Sequence, residues 1–236
     1  MPMISIFMAL YNGIEFLEES LLSILKQTYT DWELIIGING HEPNSLVITK
    51  VYEIINNIID DFGYNNNIKE KIKIIYYDTK GKPATLNKMK NDCKGEYIAI
   101  LDVDDYWLPK KLEKQIPFLF NYDVIGTQCR YFGKYSHCPN IPFGDLTNYD
   151  FLNNGNPIIN SSSLIRKEIC NWNESELLFD DYDLWLLLSK NKKTFFNINE
   201  ILCMHRVHKN SAFNSKEEDI KIYTIEFIEK WKKIYY

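Results

Sequence analysis

Three carboxylates end an apolar run in AILDVDDYWLPKKL, residues 99–112: Asp102, Asp104 and Asp105. Alternate carboxylates on a tight turn suit a hard divalent cation. Asp102 and Asp104 can share Mg²⁺ or Mn²⁺ while a substrate diphosphate completes the shell. Without a cation, two carboxylates at close range raise one another's pKa and oppose burial. A metal removes that penalty and stabilises a leaving phosphate as a Lewis acid. The plain alternative is a helix start decorated with acids, each favoured by about 0.3–1 kcal/mol through the helix dipole.

A second acidic group, Asp180, Asp181 and Asp183, opens FDDYDLWLLL, with Leu184, Trp185, Leu187 and Leu188 behind it as core. A carboxylate fixed at a helix start beside a metal-diphosphate can serve as a general base; capping of that helix by Asp180 or Asp181 is the alternative. His205 and His208 fall in HRVHKNSAF, where His208 either completes a metal or diphosphate site or acts as a structural hydrogen-bonder. Lys80 and Lys82 flank Gly81 ahead of a helical stretch, which suits phosphate contact at a helix N-terminus, although no Walker pattern is present.

The elements that must carry these groups alternate over the first hundred residues. Apolar runs at 3–9, 32–38, 71–77 and 96–102 have strand character. Between them lie helical patterns: one entered at Asn12 with Glu15 as its capping-box partner, one over 44–61, and one over 83–92. Such alternation implies a mostly parallel sheet covered by helices on both faces. Ligands bind such sheets beyond the carboxyl ends of the strands, and Asp102 sits at one of those ends. Beyond about residue 122 the pattern changes to a strand at 122–133, a loop at 137–157, a strand at 158–167, a helix at 179–190 and a strand or strand pair at 194–208. The last twenty residues form an amphipathic helix with Ile220, Tyr223, Phe227, Trp231 and Ile234 on one stripe. Packing back on its own domain is the expected role of that helix. A membrane surface or a second subunit is the alternative, given Lys230, Lys232 and Lys233.

Among 236 residues, 45% are hydrophobic and 25% charged, as in an ordinary globular chain. A net charge of −5 supplies no field to recruit nucleic acid. The first residues lack a basic stretch and a cleavage site, and no run reaches the ~18 apolar residues of a membrane span. Five scattered cysteines with no CxxC fit reduced thiols and a cytoplasmic setting. The chain reads as one compact unit over 1–236.

Taken in order, SIFMALYNGIEFLEESLLSILKQTYTDWELII, LDVDDYWLPKKL, DDYDLWLLL and HRVH resemble the family 2 glycosyltransferases of GT-A fold, over about residues 3–211. The resemblance implies a single α/β GT-A domain, with a nucleotide-binding half at 1–105, an acceptor-binding half at 106–212 and the C-terminal amphipathic helix at 213–236. It also implies a metal-dependent, inverting transfer from a nucleoside-diphosphate sugar. UDP is the default donor nucleotide, and the acceptor is a glycan, lipid or protein. Under it Ala9, Leu10 and Tyr11 line the nucleoside pocket, Asp102 contacts the ribose or the metal, and Asp104 ligates the metal. Asp181 becomes the catalytic base, and His208 lies by the diphosphate and metal with Lys82 helping. Asn39 stands where the family often has an aspartate reading uracil, and Asp180 replaces the usual glutamate before the base. Asn160 and Ser161–Ser163 are expected in an acceptor pocket. The rival readings are a haloacid-dehalogenase-like phosphatase, suggested by AILDVDD but placed after three strand-helix units rather than on the first strand, and an inactive nucleotide-sugar-binding homologue.

Overall fold

The computed structural model describes residues 2–64, 66–209, 211 and 219–235. The first half runs β1 (Ile4–Leu10), α1 (Leu17–Leu25), β2 (Trp32–Asn39), α2 (Leu46–Asp61), α3 (Asn66–Glu70), β3 (Ile72–Tyr77), α4 (Lys82–Asp92) and β4 (Tyr97–Ile100). It continues through β5 (Tyr106–Trp107), α5 (Lys111–Gln115), β6 (Val124–Gly133), β7 (Gly144–Asp145), α6 (Phe151–Asn154), β8 (Leu164–Arg166), α7 (Asp180–Lys190), β9 (Phe195–Val207) and α8 (Ile220–Tyr235).

The described strands form one sheet in the order β3-β2-β1-β4-β8-β6-β9-β5, with β7 on β9. Strands β3, β2, β1, β4, β6 and β9 share one direction, while β8, β5 and β7 oppose it, so the sheet is α/β and mostly parallel. Alternation along each strand sorts the core into two layers. Ile4, Ile6, Met8 and Leu10 of β1 face α1 and α2, with Leu17, Leu21, Val51 and Ile55. Phe7 of β1, with Ile35, Ile98 and Ile100, faces α4, α7 and α8, with Leu86, Met89, Trp185 and Phe227. The same alternation carries Ala9, Asn39 and Asp102 onto the α4/α7 face.

Several expectations are corrected. The Asn12–Glu15 capping box does not form. Gly13, at φ 86°, instead caps a short 3₁₀ turn over Ile14–Phe16, and the α-helix starts at Leu17. A Cβ on Gly13 would lie 3.0 Å from Val103, so the chain needs a glycine to turn this close to the acidic loop. The strand expected over 158–167 is extended only at Leu164–Arg166. Ser162 Oγ donates to the Ile159 carbonyl at 2.8 Å and Ser163 Oγ to that of Asn160 at 2.7 Å, local bonds that favour a 3₁₀ turn over 160–162. Neither Asp180 nor Asp181 caps α7, since Phe179 holds the cap position without a side-chain bond. Helix α8 packs back on α7 but is rotated from the expected stripe. Phe227 and Trp231 are buried, whereas Tyr223 and Ile234 face outward and Ile228 and Tyr235 turn in. In this rotation Trp231 Nε1 donates to Asp183 Oδ1 at 2.9 Å.

Candidate active site

The three carboxylates after β4 do three different jobs. Asp102 accepts from Lys82 Nζ at 2.5 Å and from Asn160 Nδ2 at 3.0 and 3.3 Å, while its own N–H donates to Ser161 Oγ at 3.1 Å. Asp104 Oδ2 lies 2.9 Å from His208 Nε2. Asp105, 1% exposed, takes His205 Nδ1 at 2.9 Å and the Arg206 N–H at 2.8 Å, which ties the loop to β9. Ser20 Oγ, 2.5 and 2.6 Å from the Val103 and Asp105 carbonyls, holds the turn from the other side. The wall against α1 is completed by the Arg206 guanidinium, which lies 4.5 Å from the Phe16 ring and 4.3 Å from that of Phe132 and donates to the Asp104 carbonyl at 2.8 Å.

The electrostatics follow these pairings. Burial alone would push the Lys82 amine down, but Asp102 and Asp180 outweigh it and hold the amine charged. Burial would likewise raise Asp102, and Lys82 and Asn160 reverse that, so its carboxyl sits below the usual range. Asp104 is raised, by burial first and then by the charges of Asp105 and Asp102. Despite burial, the surrounding carboxylates, Asp105 foremost, lift His205 to about 9.

Across Lys82 stands the start of α7. Asp180 Oδ2 is 3.7 Å from Lys82 Nζ, and this buried oxygen has no hydrogen-bond partner. Asp181 Oδ1 accepts the Tyr182 N–H at 2.7 Å and its Oδ2 accepts from Asn156 Nδ2 at 3.1 Å. Burial and the neighbouring Asp180 push the Asp181 carboxyl up to about 7, against the pull of Lys82 and these two hydrogen bonds. A carboxyl near neutrality at a helix start has the proton affinity a general base needs.

At the ends of β1 and β2, Tyr11 is exposed and its ring is 5.4 Å from that of His41, whose Nε2 is 2.5 Å from the Tyr11 carbonyl. Gly40, at φ 70°, lets the backbone pass where a Cβ would meet the Tyr11 ring at 2.8 Å. Asn39 is 3% exposed and its buried amide oxygen is unpaired. Ala9 is half-buried on the same face. Leu10 is not available as a lining side chain: it points to the opposite face and is fully buried in the α1/α2 core.

The structure therefore brings together Lys82, Asp102 and the Asp180–Asp181 pair, and it sets Asp104, on the same acidic loop as Asp102, against His208. Among the described residues no group of three His, Cys, Asp or Glu side chains is gathered to hold a metal ion. Asp104 and His208 form a two-donor set, while both Asp102 oxygens are already engaged. Asn160 and Ser161–Ser163 do not line an open pocket. They are buried, and the asparagine serves Asp102. Asn156, His41 and Arg206 emerge only from the fold.

Residues 5–171 match the model of the family described as Glycosyl transferase family 2. The chain belongs to that family. A glycosyltransferase of Methanocaldococcus jannaschii, described as uncharacterized, is 31% identical over 94% of this chain and 77% of its own length. The Escherichia coli UDP-Glc:alpha-D-GlcNAc-diphosphoundecaprenol beta-1,3-glucosyltransferase WfaP is 29% identical over 93% of this chain and 83% of its own. Among solved structures, Staphylococcus aureus TarS 1-349 in complex with UDP-GlcNAc has TM-score 0.70 at 14% identity, covering 97% of this chain and 66% of that one. The mannosyltransferase PcManGT of Pyrobaculum calidifontis, in complex with GDP-Man and Mn2+, has TM-score 0.66 at 14% identity, covering 90% and 59%. These likenesses establish the GT-A fold of this family 2 glycosyltransferase, and the phosphatase reading of AILDVDD falls with it. No helix of the described residues is long and apolar enough to cross a membrane.

Proposed function

We propose that this family 2 glycosyltransferase moves a sugar from a nucleoside diphosphate, UDP by default, to an acceptor hydroxyl with inversion at the anomeric carbon. The observation that carries the reading is Lys82, which stands between Asp102 at 2.5 Å and Asp180 at 3.7 Å and so joins the strand-end acids to the helix bearing Asp181. The donor diphosphate would lie along Lys82 and the acid loop, and the acceptor would approach Asp181. As the acceptor oxygen attacks the anomeric carbon, Asp181 takes its proton and the bond to the diphosphate breaks on the opposite face. Asp181, pushed up to about 7, is matched to that transfer.

Asp104 and His208 fit Mn²⁺ or Mg²⁺: a carboxylate and an imidazole 2.9 Å apart, the carboxylate raised by burial and unrelieved negative charge. A cation there would neutralise charge on the departing diphosphate. The unpaired oxygen of Asn39, with Tyr11 beside it, supports a nucleobase contact, because an unpaired buried acceptor costs about 1–3 kcal/mol until a donor meets it. The UDP-GlcNAc of TarS and the UDP-Glc of WfaP favour uridine, and the GDP-Man and Mn2+ of PcManGT support a metal-assisted donor site. We assign 1–105 to the donor, 106–212 to the acceptor and 213–236 to a packing helix; the 212/213 boundary lies outside the described residues. The free cysteines Cys93, Cys129, Cys138, Cys170 and Cys203 support a cytoplasmic setting.

Slow hydrolysis of the donor tests the reaction without knowledge of the acceptor. Protein with Mn²⁺ and UDP-glucose, UDP-galactose or UDP-N-acetylglucosamine, all α-linked, should release UDP from at least one. Proton NMR should then show the β-anomer of the sugar appearing first. First appearance of the α-anomer would overturn the inverting mechanism.

A further inference from the structure

We infer that Asn156 is a positioning residue that fixes the carboxylate of Asp181 for proton transfer; this rests on Asp181 being the base. Asn156 is doubly tethered. Its Oδ1 accepts the Ile158 N–H at 3.0 Å, which leaves Nδ2 to donate to Asp181 Oδ2 at 3.1 Å. Two further hydrogen bonds anchor the loop just after it. The Pro157 carbonyl accepts from Asn197 Nδ2 at 2.7 Å, and the Ile158 carbonyl from Trp185 Nε1 at 3.2 Å. Trp185 lies one turn beyond Asp181 on α7, so loop and base share one support.

With the Tyr182 N–H on Oδ1 and Asn156 on Oδ2, rotation of the carboxylate about its own bond breaks a hydrogen bond at either end. Only the remaining lone pairs are open to an acceptor hydroxyl. The amide N–H also favours the anion, which matters here because the other influences on Asp181 are divided. Burial, and after it Asp180 on its own helix, raise it, Lys82 of α4 lowers it, and the hydroxyls of Tyr182 and of Tyr131 on β6 feel its charge.

Carbon-13 NMR of the carboxyl groups gives the test, with the Asp181 resonance assigned by its loss in Asp181→Asn. In wild type it should titrate near neutrality. Asn156→Ala removes the donor and should raise the midpoint by about one unit, since a charge-assisted hydrogen bond is lost. Asn156→Asp keeps an acceptor for the Ile158 N–H, and hence the loop, but sets an oxygen against Asp181 and should raise the midpoint further. The acid limb of donor hydrolysis should move by the same amounts, with the donor KM unchanged. An inactive Asp181→Asn together with unmoved midpoints in both Asn156 variants would remove this inference alone. Full hydrolysis by Asp181→Asn would remove the base assignment and the inference with it.

Discussion

Asp181→Asn should lower glycosyl transfer and donor hydrolysis by about 10²–10⁴-fold, the usual weight of a general base, while UDP binding persists. The fold should not suffer. The folded pKa of Asp181 lies above its unfolded value, so its contribution to stability is fully present below about 4 and is lost as pH rises through about 7. At pH 8 the asparagine gives up the hydrogen bond from Asn156 Nδ2 but relieves a charge that burial and Asp180 oppose, and the second effect outweighs the first. The variant should melt in urea at or above the wild-type midpoint. Turnover within a few-fold of wild type in a well-folded Asp181→Asn protein would remove the assigned base.

Lys82→Met should be the most damaging single change to the donor site. It deletes the ammonium shared by Asp102 and Asp180, and Asp102 keeps only the Asn160 bond to its carboxylate. Breaking a buried pair costs about 3–5 kcal/mol, and the lower end applies because the two side chains keep 29% and 28% exposure. The pH dependence has a definite sign. The lowered pKa of Asp102 contributes stability that is present above its unfolded value and lost as pH falls, while the raised pKa of Lys82 contributes stability lost only at high pH. The destabilisation should therefore be full at pH 7 and shrink toward pH 4 as the orphaned carboxylates protonate. Nucleotide affinity should fall about 10–100-fold through the lost charged hydrogen bond. Pairing Lys82→Met with Asp102→Asn should recover much of the stability and none of the affinity. An unchanged urea midpoint in Lys82→Met would show that the pair does not hold the site together.

The sheet and its helices were legible wherever a period was undisturbed. The apolar runs of β1 to β4, and α2, lie within a residue or two of their expected positions. Reading failed where a local bond or a single glycine overrode the pattern, as at Gly13 and in the serine-rich turn at 160–162. Leu10 shows the opposite case. The strand period already placed it with Ile4, Ile6 and Met8, on the face away from Asn39 and Asp102, and strict use of the period excludes its side chain from the pocket. The acidic loop was legible as a site but not in its division of labour. Three adjacent carboxylates look alike until Lys82, His208 and His205 arrive from residues far away in the chain. Asn156 carried no signal at all, because its partner is 25 residues distant and their meeting depends on a loop held by Asn197 and Trp185.

The proposed reaction needs the acid loop and α7 to frame a metal-assisted nucleoside-diphosphate site. Calorimetric titration of UDP, GDP, dTDP and CDP into the protein, with and without Mn²⁺, tests it most directly. UDP should bind in the presence of Mn²⁺, this binding should weaken sharply in its absence, and Asp104→Ala should remove the difference. Binding of none of the four, or UDP binding indifferent to Mn²⁺, would contradict it.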